Sequence, residues 1–212
     1  MFTGIVAAIG RIVSVRPLGD TGSAGVRLEI DAGSLGLDDV GLGDSIAVQG
    51  ACMTVVAKSG NRFEVDVSRE SLNRTTGLDR EGEVNLEKAL RIGDPIGGHL
   101  VSGHVDGLGT VERFDQVGES YLLVVRVPQA LARYMAYKGS VAINGVSLTV
   151  NRVEDEADGC LVSINLIPHT LEATTLKHVR PGVQVNLEVD TIARYVERMI
   201  SATGNPGSIA AV

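Results

Sequence analysis

His104, Cys52, Ser147 and Asp190 are the residues of this chain whose types and placement admit chemistry. An imidazole titrates near neutrality and so can move protons at working pH, which makes His104 a candidate acid–base group. Cys52 and Ser147 fill the same slot in two matching stretches. Val48-Gln49-Gly50-Ala51-Cys52-Met53-Thr54-Val55 aligns with Ile143-Asn144-Gly145-Val146-Ser147-Leu148-Thr149-Val150. One member of the pair is a hydroxyl and the other a softer, more nucleophilic thiol. Thr54 and Thr149 follow them at the same spacing and offer hydroxyls to a polar ligand edge. The plainer reading is a small residue on a strand that faces a packed interior. Asp190 precedes an apolar run at helical spacing, and either it or Thr191 could cap that helix; capping does not exclude a part in catalysis.

Two further segments align: Asp66-Val67-Ser68-Arg69-Glu70-Ser71 with Asn165-Leu166-Ile167-Pro168-His169-Thr170. As plain surface connections they need no ligand. As polar rims of a site they could hydrogen-bond a polyhydroxylated ligand and reject analogues lacking the hydroxyls. His99, five residues before His104, has no counterpart at the N-terminus. The two histidines make a weak metal pair because no third ligand lies nearby, and a lone strand histidine is more often structural. Gly107-Leu108-Gly109 precedes no helix, so it is no dinucleotide fingerprint.

The elements that must position these groups come from a duplication. Thr3-Gly4-Ile5-Val6 with Gly10 returns as Ser102-Gly103-His104-Val105 with Gly109, and Ser71-Leu72-Asn73-Arg74-Thr75-Thr76 returns as Thr170-Leu171-Glu172-Ala173-Thr174-Thr175. Every block recurs in the same order at an offset of about 100 residues, the signature of tandem repeats. Shared residues then serve the fold or a shared ligand, while unshared polar ones are candidates for chemistry: Ile5 against His104, Cys52 against Ser147, Ala89 against Asp190. Strands are expected over Ile5–Val15 (bulged near Gly10), Val26–Ile30, Asp44–Val56, Arg62–Val67 and Glu83–Leu86. In the second repeat they are expected over Gly109–Phe114, Tyr121–Val127, Ser140–Val153, Cys160–Asn165 and Val183–Val189. Turns are expected at Gly19-Asp20-Thr21-Gly22 and Ser59-Gly60-Asn61, with a brief helix at Gln129–Lys138. About six short strands per repeat predict two small antiparallel barrels, whose closure removes exposed sheet edges. Ile192, Tyr195, Val196, Met199 and Ile200 form an apolar stripe on a helix over Thr191–Ser201, which needs another surface, such as another subunit. Residues 204–212 read as a frayed tail.

The chain has 212 residues, 44% hydrophobic and 21% charged, as soluble globular proteins do. Its net charge of −7 argues against a nucleic-acid partner. No stretch is long and apolar enough for a membrane span, and no signal peptide is visible. Cys52 and Cys160 are expected as free thiols, consistent with a reducing cytoplasm.

Taken together, Met1-Phe2-Thr3-Gly4-Ile5-Val6, the Gly97-Gly98-His99-Leu100-Val101-Ser102-Gly103-His104 run, Asn144 to Val150, and Val185-Asn186-Leu187-Glu188 resemble riboflavin synthase of the α-chain type, from Met1 to about Ile200. The resemblance implies an all-β fold of two six-stranded antiparallel Greek-key barrels, over residues 1–97 and 98–190. It also implies a C-terminal helix over 191–203 that builds a homotrimer, and no metal or organic cofactor. The implied reaction is a dismutation: two molecules of 6,7-dimethyl-8-ribityllumazine exchange a four-carbon unit, giving riboflavin and 5-amino-6-(D-ribitylamino)uracil. Association with lumazine synthase is a further partner implied.

By that resemblance Gly4, Ile5, Val6, Cys52, Met53, Thr54 and Asp66 to Ser71 (Asp66, Val67, Ser68, Arg69, Glu70, Ser71) line the N-barrel site. Gly103, His104, Val105, Lys138, Ser147, Leu148, Thr149 and Asn165 to Thr170 (Asn165, Leu166, Ile167, Pro168, His169, Thr170) line the C-barrel site. His104 is expected to move protons at the C7-methyl, and Ser147 to activate water or add at C7, with Cys52 and Asp190 assisting. The substrates stack between the N-barrel of one subunit and the C-barrel of a neighbour. The rival reading on the same fold is a non-catalytic lumazine- or flavin-binding antenna protein.

Overall fold

The computed structural model describes residues 1–19 and 24–203; the turn expected beyond Gly19 and the tail at 204–212 lie outside them. In the first repeat the strands are β1 (Ala8–Pro17), β2 (Val26–Asp31), β3 (Ser45–Val48), β4 (Ala51–Ser59), β5 (Arg62–Val67) and β6 (Gly82–Lys88), with a short helix α1 (Arg69–Arg74) after β5. They close in the order β1-β2-β5-β4-β3-β6. The second repeat supplies β7 (Gly107–Val117), β8 (Ser120–Pro128), β9 (Ser140–Ile143), β10 (Val146–Glu156), β11 (Gly159–Leu166) and β12 (Gln184–Val189), with α2 (Gln129–Ala132) after β8 and α3 (Pro168–Ala173) after β11. These strands close in the equivalent circuit β10-β11-β8-β7-β12-β9. In each barrel three hairpin-linked strands are followed by one that returns beside the first of them, the Greek-key arrangement. Helix α4 (Thr191–Thr203) ends the described chain.

Alternation is what closes the barrels. Leu28 pairs with Val65 and Ile30 with Phe63 across β2 and β5, and all four side chains point into the first core. Val162 opposite Val125 and Ile164 opposite Leu123 do the same in the second. Both interiors are filled with side chains, so a ligand must bind outside the strands.

Several elements depart from the expected bounds. The alternating runs Asp44–Val56 and Ser140–Val153 each divide into two strands. At the break, Gln49 and Gly50 have φ of 51° and 87°, and Asn144 and Gly145 have 50° and 80°. Two consecutive positive φ values are the mark of a type I′ hairpin turn. The tips also abut: a Cβ on Gly50 would lie 2.6 Å from Gly145 N, and one on Gly145 2.9 Å from Gly50 Cα. The irregularity expected at Gly10 lies further along β1, between Ile12 and Ser14. The helix expected over Gln129–Lys138 stops at Ala132, because the chain tightens into i→i+3 turns (Tyr134 N to Leu131 O, 3.1 Å; Met135 N to Ala132 O, 3.0 Å) and then turns left-handed at Lys138, φ 62°.

Helix α4 begins where expected. Asp190 Oδ1 accepts from Ile192 N at 2.8 Å, satisfying one of the unpaired donors of the first turn. Its apolar side is bare in the single chain: Ile192, Tyr195, Met199 and Ile200 are 65–68% exposed. No helix among the described residues is long and apolar enough to cross a membrane.

Candidate functional site

The segments that lead into each barrel build the sites. Thr3 and Gly4 are gripped by Glu87 of their own barrel: Oε1 accepts from Thr3 N (2.6 Å) and Thr3 Oγ1 (2.7 Å), and Oε2 from Gly4 N (3.0 Å). Glu188 holds Ser102 and Gly103 in the same manner, at 2.6, 2.6 and 2.9 Å. Burial pushes both carboxyls above the usual carboxylate range, against the downward pull of these donors.

Gly4 and Gly103 have φ of 74° and 77°. That left-handed turn sends each N–H to its own barrel's glutamate and each carbonyl to the other barrel. Gly4 O accepts from Ser147 N at 2.8 Å, and Gly103 O accepts from Cys52 N at 2.7 Å. Val6 packs against the second core and Val105 against the first. The expected partition is therefore corrected: Gly4, Ile5 and Val6 belong with Ser147, and Gly103, His104 and Val105 with Cys52. Only glycine fits at the crossings, since a Cβ on Gly4 would lie 2.7 Å from Ser147 Cβ, and one on Gly103 2.7 Å from Cys52 Cβ. Phe2 and Val101 bridge the two leaders between the crossings.

On the first barrel, Cys52 and Thr54 occupy the outward face of β4, alternating with the buried Met53 and Val55. The interior-facing reading of this slot is thus overturned; Cys52 is half-buried beside a cleft. That cleft, about 190 Å³, lies between β4, α1 and the second leader, with Cys52, Ser71, Arg74, Thr75 and His104 among its walls. Ser68 caps α1 through its Oγ, which accepts from Ser71 N at 3.0 Å, and Glu70 pairs with Arg74 at 2.8 Å.

On the second barrel, Ser147 and Thr149 take the equivalent outward face of β10. Ser147 Oγ lies 2.7 Å from Nδ1 of His99, a residue outside the expected site. The other ring nitrogen of His99 is buried and has no hydrogen-bond partner. Burial lowers the His99 pKa, with the charge of Asp190 opposing, so the imidazole favours its neutral form. His104 and Ser147, expected together, belong to different clusters.

The remaining expected residues divide by their contacts. Val67, Leu148 and Leu166 fill the cores. Arg27 forks onto Asp66 at 2.7 and 2.8 Å and holds its carboxyl below the usual range. Arg69 donates to Ala24 O at 3.0 and 2.6 Å. Asn165 Oδ1 accepts from Ser120 Oγ at 2.8 Å. Lys138 Nζ sits 3.4 Å from Asn151 Oδ1 and 5.4 Å from the Tyr137 ring centre. Ile167 and Pro168 open α3, where His169 is exposed and Thr170 half-buried. Cys52 and Cys160 are unpaired thiols.

A family model described as the lumazine binding domain matches the chain twice, over residues 3–89 and 102–190. Riboflavin synthase of Brucella abortus (strain 2308) is 43% identical over 208 residues, spanning 94% of this chain and 98% of its own. Riboflavin synthase of Photobacterium phosphoreum is 40% identical over 202 residues, spanning 94% of this chain and 89% of its own. Among solved structures, LumP complexed with 6,7-dimethyl-8-(1'-D-ribityl) lumazine superposes with a TM-score of 0.75 at 26% identity, covering 89% of this chain and 99% of LumP. LumP complexed with riboflavin gives 0.76 at 28% identity with the same coverage.

Proposed function

This chain belongs to the riboflavin synthase family, and from that premise we propose that it transfers a four-carbon unit between two bound molecules of 6,7-dimethyl-8-ribityllumazine. The products are riboflavin and 5-amino-6-(D-ribitylamino)uracil. One observation carries the reading: two near-equivalent sites, related by duplication, carry unlike reactive groups. Two copies of one substrate call for two similar pockets. A donor and an acceptor of carbon call for pockets that differ, and here one offers Cys52 with His104 and the other Ser147 with His99.

In this reading His104 exchanges protons at the acidic methyl of the lumazine on the first barrel, with Cys52 beside it. Ser147 supplies an oxygen to C7 of the lumazine on the second, and Asp190 assists from the α4 cap. Proximity and orientation of the two stacked rings supply much of the acceleration, with no metal or organic cofactor. Stacking requires a second surface. The cleft at Cys52, about 190 Å³, is smaller than the roughly 300–1,000 Å³ of an enclosed small-molecule site. A homotrimer would supply that surface, and two features support it. The stripe on α4 is exposed, and a cavity of about 660 Å³ runs along the helix between Tyr134, Ala136, Val196 and Ile200. Cytoplasmic residence and association with lumazine synthase belong to the same proposal; the unpaired thiols support the former.

The test is to incubate the purified protein with the lumazine alone, in the presence of a chelator, and follow riboflavin absorbance. Riboflavin is expected to accumulate at half the rate of lumazine loss. The ligand-bound LumP structures favour a second reading, binding without turnover; bound lumazine with no riboflavin would establish it over the first.

A further inference from the structure

His104 has no side-chain anchor of its own. The residue is exposed, and its ring has no hydrogen-bond partner among the described residues. Its place beside Cys52 is therefore set by the backbone on either side. Upstream, Glu188 grips Ser102 and Gly103, and Gly103 O accepts from Cys52 N at 2.7 Å. Downstream, the chain is fixed at Asp106, the last residue before β7. Asp106 N donates to Leu187 O at 2.8 Å, and its carboxylate continues that contact along β12, with Oδ2 accepting from Val189 N at 2.9 Å.

The same carboxylate receives helix α4. Arg194 Nη2 straddles it, 2.8 Å from Oδ1 and 2.7 Å from Oδ2. The Asp106 side chain is only 13% exposed, so the pair is screened less than one on the open surface. Its charge is also needed. Burial first, and the charge of Asp106 in addition, push the Glu188 carboxyl upward. Two carboxylates thus hold one leader, and Arg194 supplies the balancing cation. Helix α4 meets its own barrel through polar residues, with Glu197 paired to Arg133 at 2.7 Å, while Ile192, Tyr195, Met199 and Ile200 stay exposed.

The duplication isolates this device. Asp106 corresponds to Ala7, and Ala7 N donates to Leu86 O at 2.9 Å just as Asp106 N does to Leu187 O. The backbone contact is shared and the carboxylate is not. The leader without it carries Ile5, and the leader with it carries His104. An acid–base group must sit within hydrogen-bond reach of the proton it moves, a demand that an isoleucine does not meet.

We propose that Asp106, held by Arg194, is the positioning residue for His104, so that α4 sets the aim of the acid–base group in its own chain. The assignment rests on the lumazine reading of the first site.

Kinetics and NMR test it together. Arg194→Ala keeps the apolar stripe, so light scattering should match wild type. Its kcat is expected to fall at least about fivefold, with the lumazine KM within about twofold. In a His104→Ala background the same change should have no further effect on turnover, which a merely structural role would not produce. One nitrogen makes both contacts to Asp106, so Arg194→Lys should recover most of the rate. Asp106→Asn keeps an acceptor for Val189 N but loses the ion pair; it should be slow, add nothing to Arg194→Ala, and serve if Arg194→Ala fails to fold by circular dichroism. In the spectrum, Arg194→Ala and Asp106→Asn should move the His104 ring resonances and leave those of His99 and His169 in place. Unmoved His104 resonances, an undiminished loss in the His104→Ala background, or a loss confined to KM overturns the proposal. Wild-type protein that makes no riboflavin overturns the reaction instead, and the His104 resonances alone then decide whether Asp106 and Arg194 hold the ring.

Discussion

Ser147→Ala deletes an oxygen on the outward face of β10 and leaves the core behind it untouched. Turnover should fall at least about tenfold, near 1.4 kcal/mol in the barrier, while lumazine affinity changes little in a fluorescence titration. Lost affinity with unchanged turnover of bound substrate would reduce Ser147 to a pocket contact. His99 also gives a pH dependence with a definite sign. Burial lowers its folded pKa, and Asp190 only partly opposes this. The neutral form is therefore the one the fold accepts. Its contribution to stability is fully present above the unfolded value of about 6.5 and is lost as pH falls toward the lower folded value. Thermal melts should show wild type losing stability as pH falls below about 6.5, with a shallower slope in His99→Asn. At this scale the sequence was half legible. The Cys52–Ser147 slot stood out because aligned repeats display their differences. The His99–Ser147 contact joins residues far apart in sequence and leaves no periodic trace.

Glu87 and Glu188 are the parts on which the leader segments hang. Each carboxylate accepts from three donors, so an amide cannot replace it: in Glu188→Gln one donor would face another. The buried mismatch should lower stability by about 1–3 kcal/mol in urea unfolding and loosen His104 against Cys52. An unchanged midpoint would show that the leader is held by other contacts. For α4, removing residues from Thr191 onward should give monomers with weak activity, because the stripe of Ile192, Tyr195, Met199 and Ile200 goes with it. Light scattering that still reports the intact assembly would refute the helix as the subunit contact. Strands were readable from alternation and α4 from its stripe. The breaks at Gln49-Gly50 and Asn144-Gly145 were hidden because alternation continues across them, although Asn-Gly is itself a hairpin signal. Helices α1 and α3 span 6 residues each, too few to display a 3.6-residue period.

The barrels face each other across an approximate two-fold relation written in matched hydrogen bonds. Asn85 Nδ2 donates to Asn144 O, and Asn186 Nδ2 to Gln49 O, both at 2.9 Å. Thr175 N donates to Asn85 Oδ1, and Thr76 N to Asn186 Oδ1, both at 2.8 Å. A fragment of residues 1–97 would expose its half of this network and lack the Gly103–Val105 wall of its own cleft. Two fragments can supply one another, with Thr3–Val6 of each lying on Cys52 of its twin. The fragment is therefore expected to be a dimer that binds lumazine or riboflavin and, lacking His104, Ser147 and Asp190, makes no riboflavin. Sedimentation as a monomer with full binding would contradict the crossing of the leaders. Duplication was legible in the sequence, but the crossing was not, since aligned repeats say which positions are equivalent and not which barrel each one touches. The crossing also bears on how the protein is made. The ribosome releases the N-terminus first, yet the strand on which Gly4 docks emerges roughly 140 residues later, on the order of ten seconds at usual elongation rates. Through that interval the Thr3–Val6 leader is undocked, and until residues 103–105 emerge the cleft at Cys52 lacks its wall, two features that a second nascent chain on the same message could bind in place of its own.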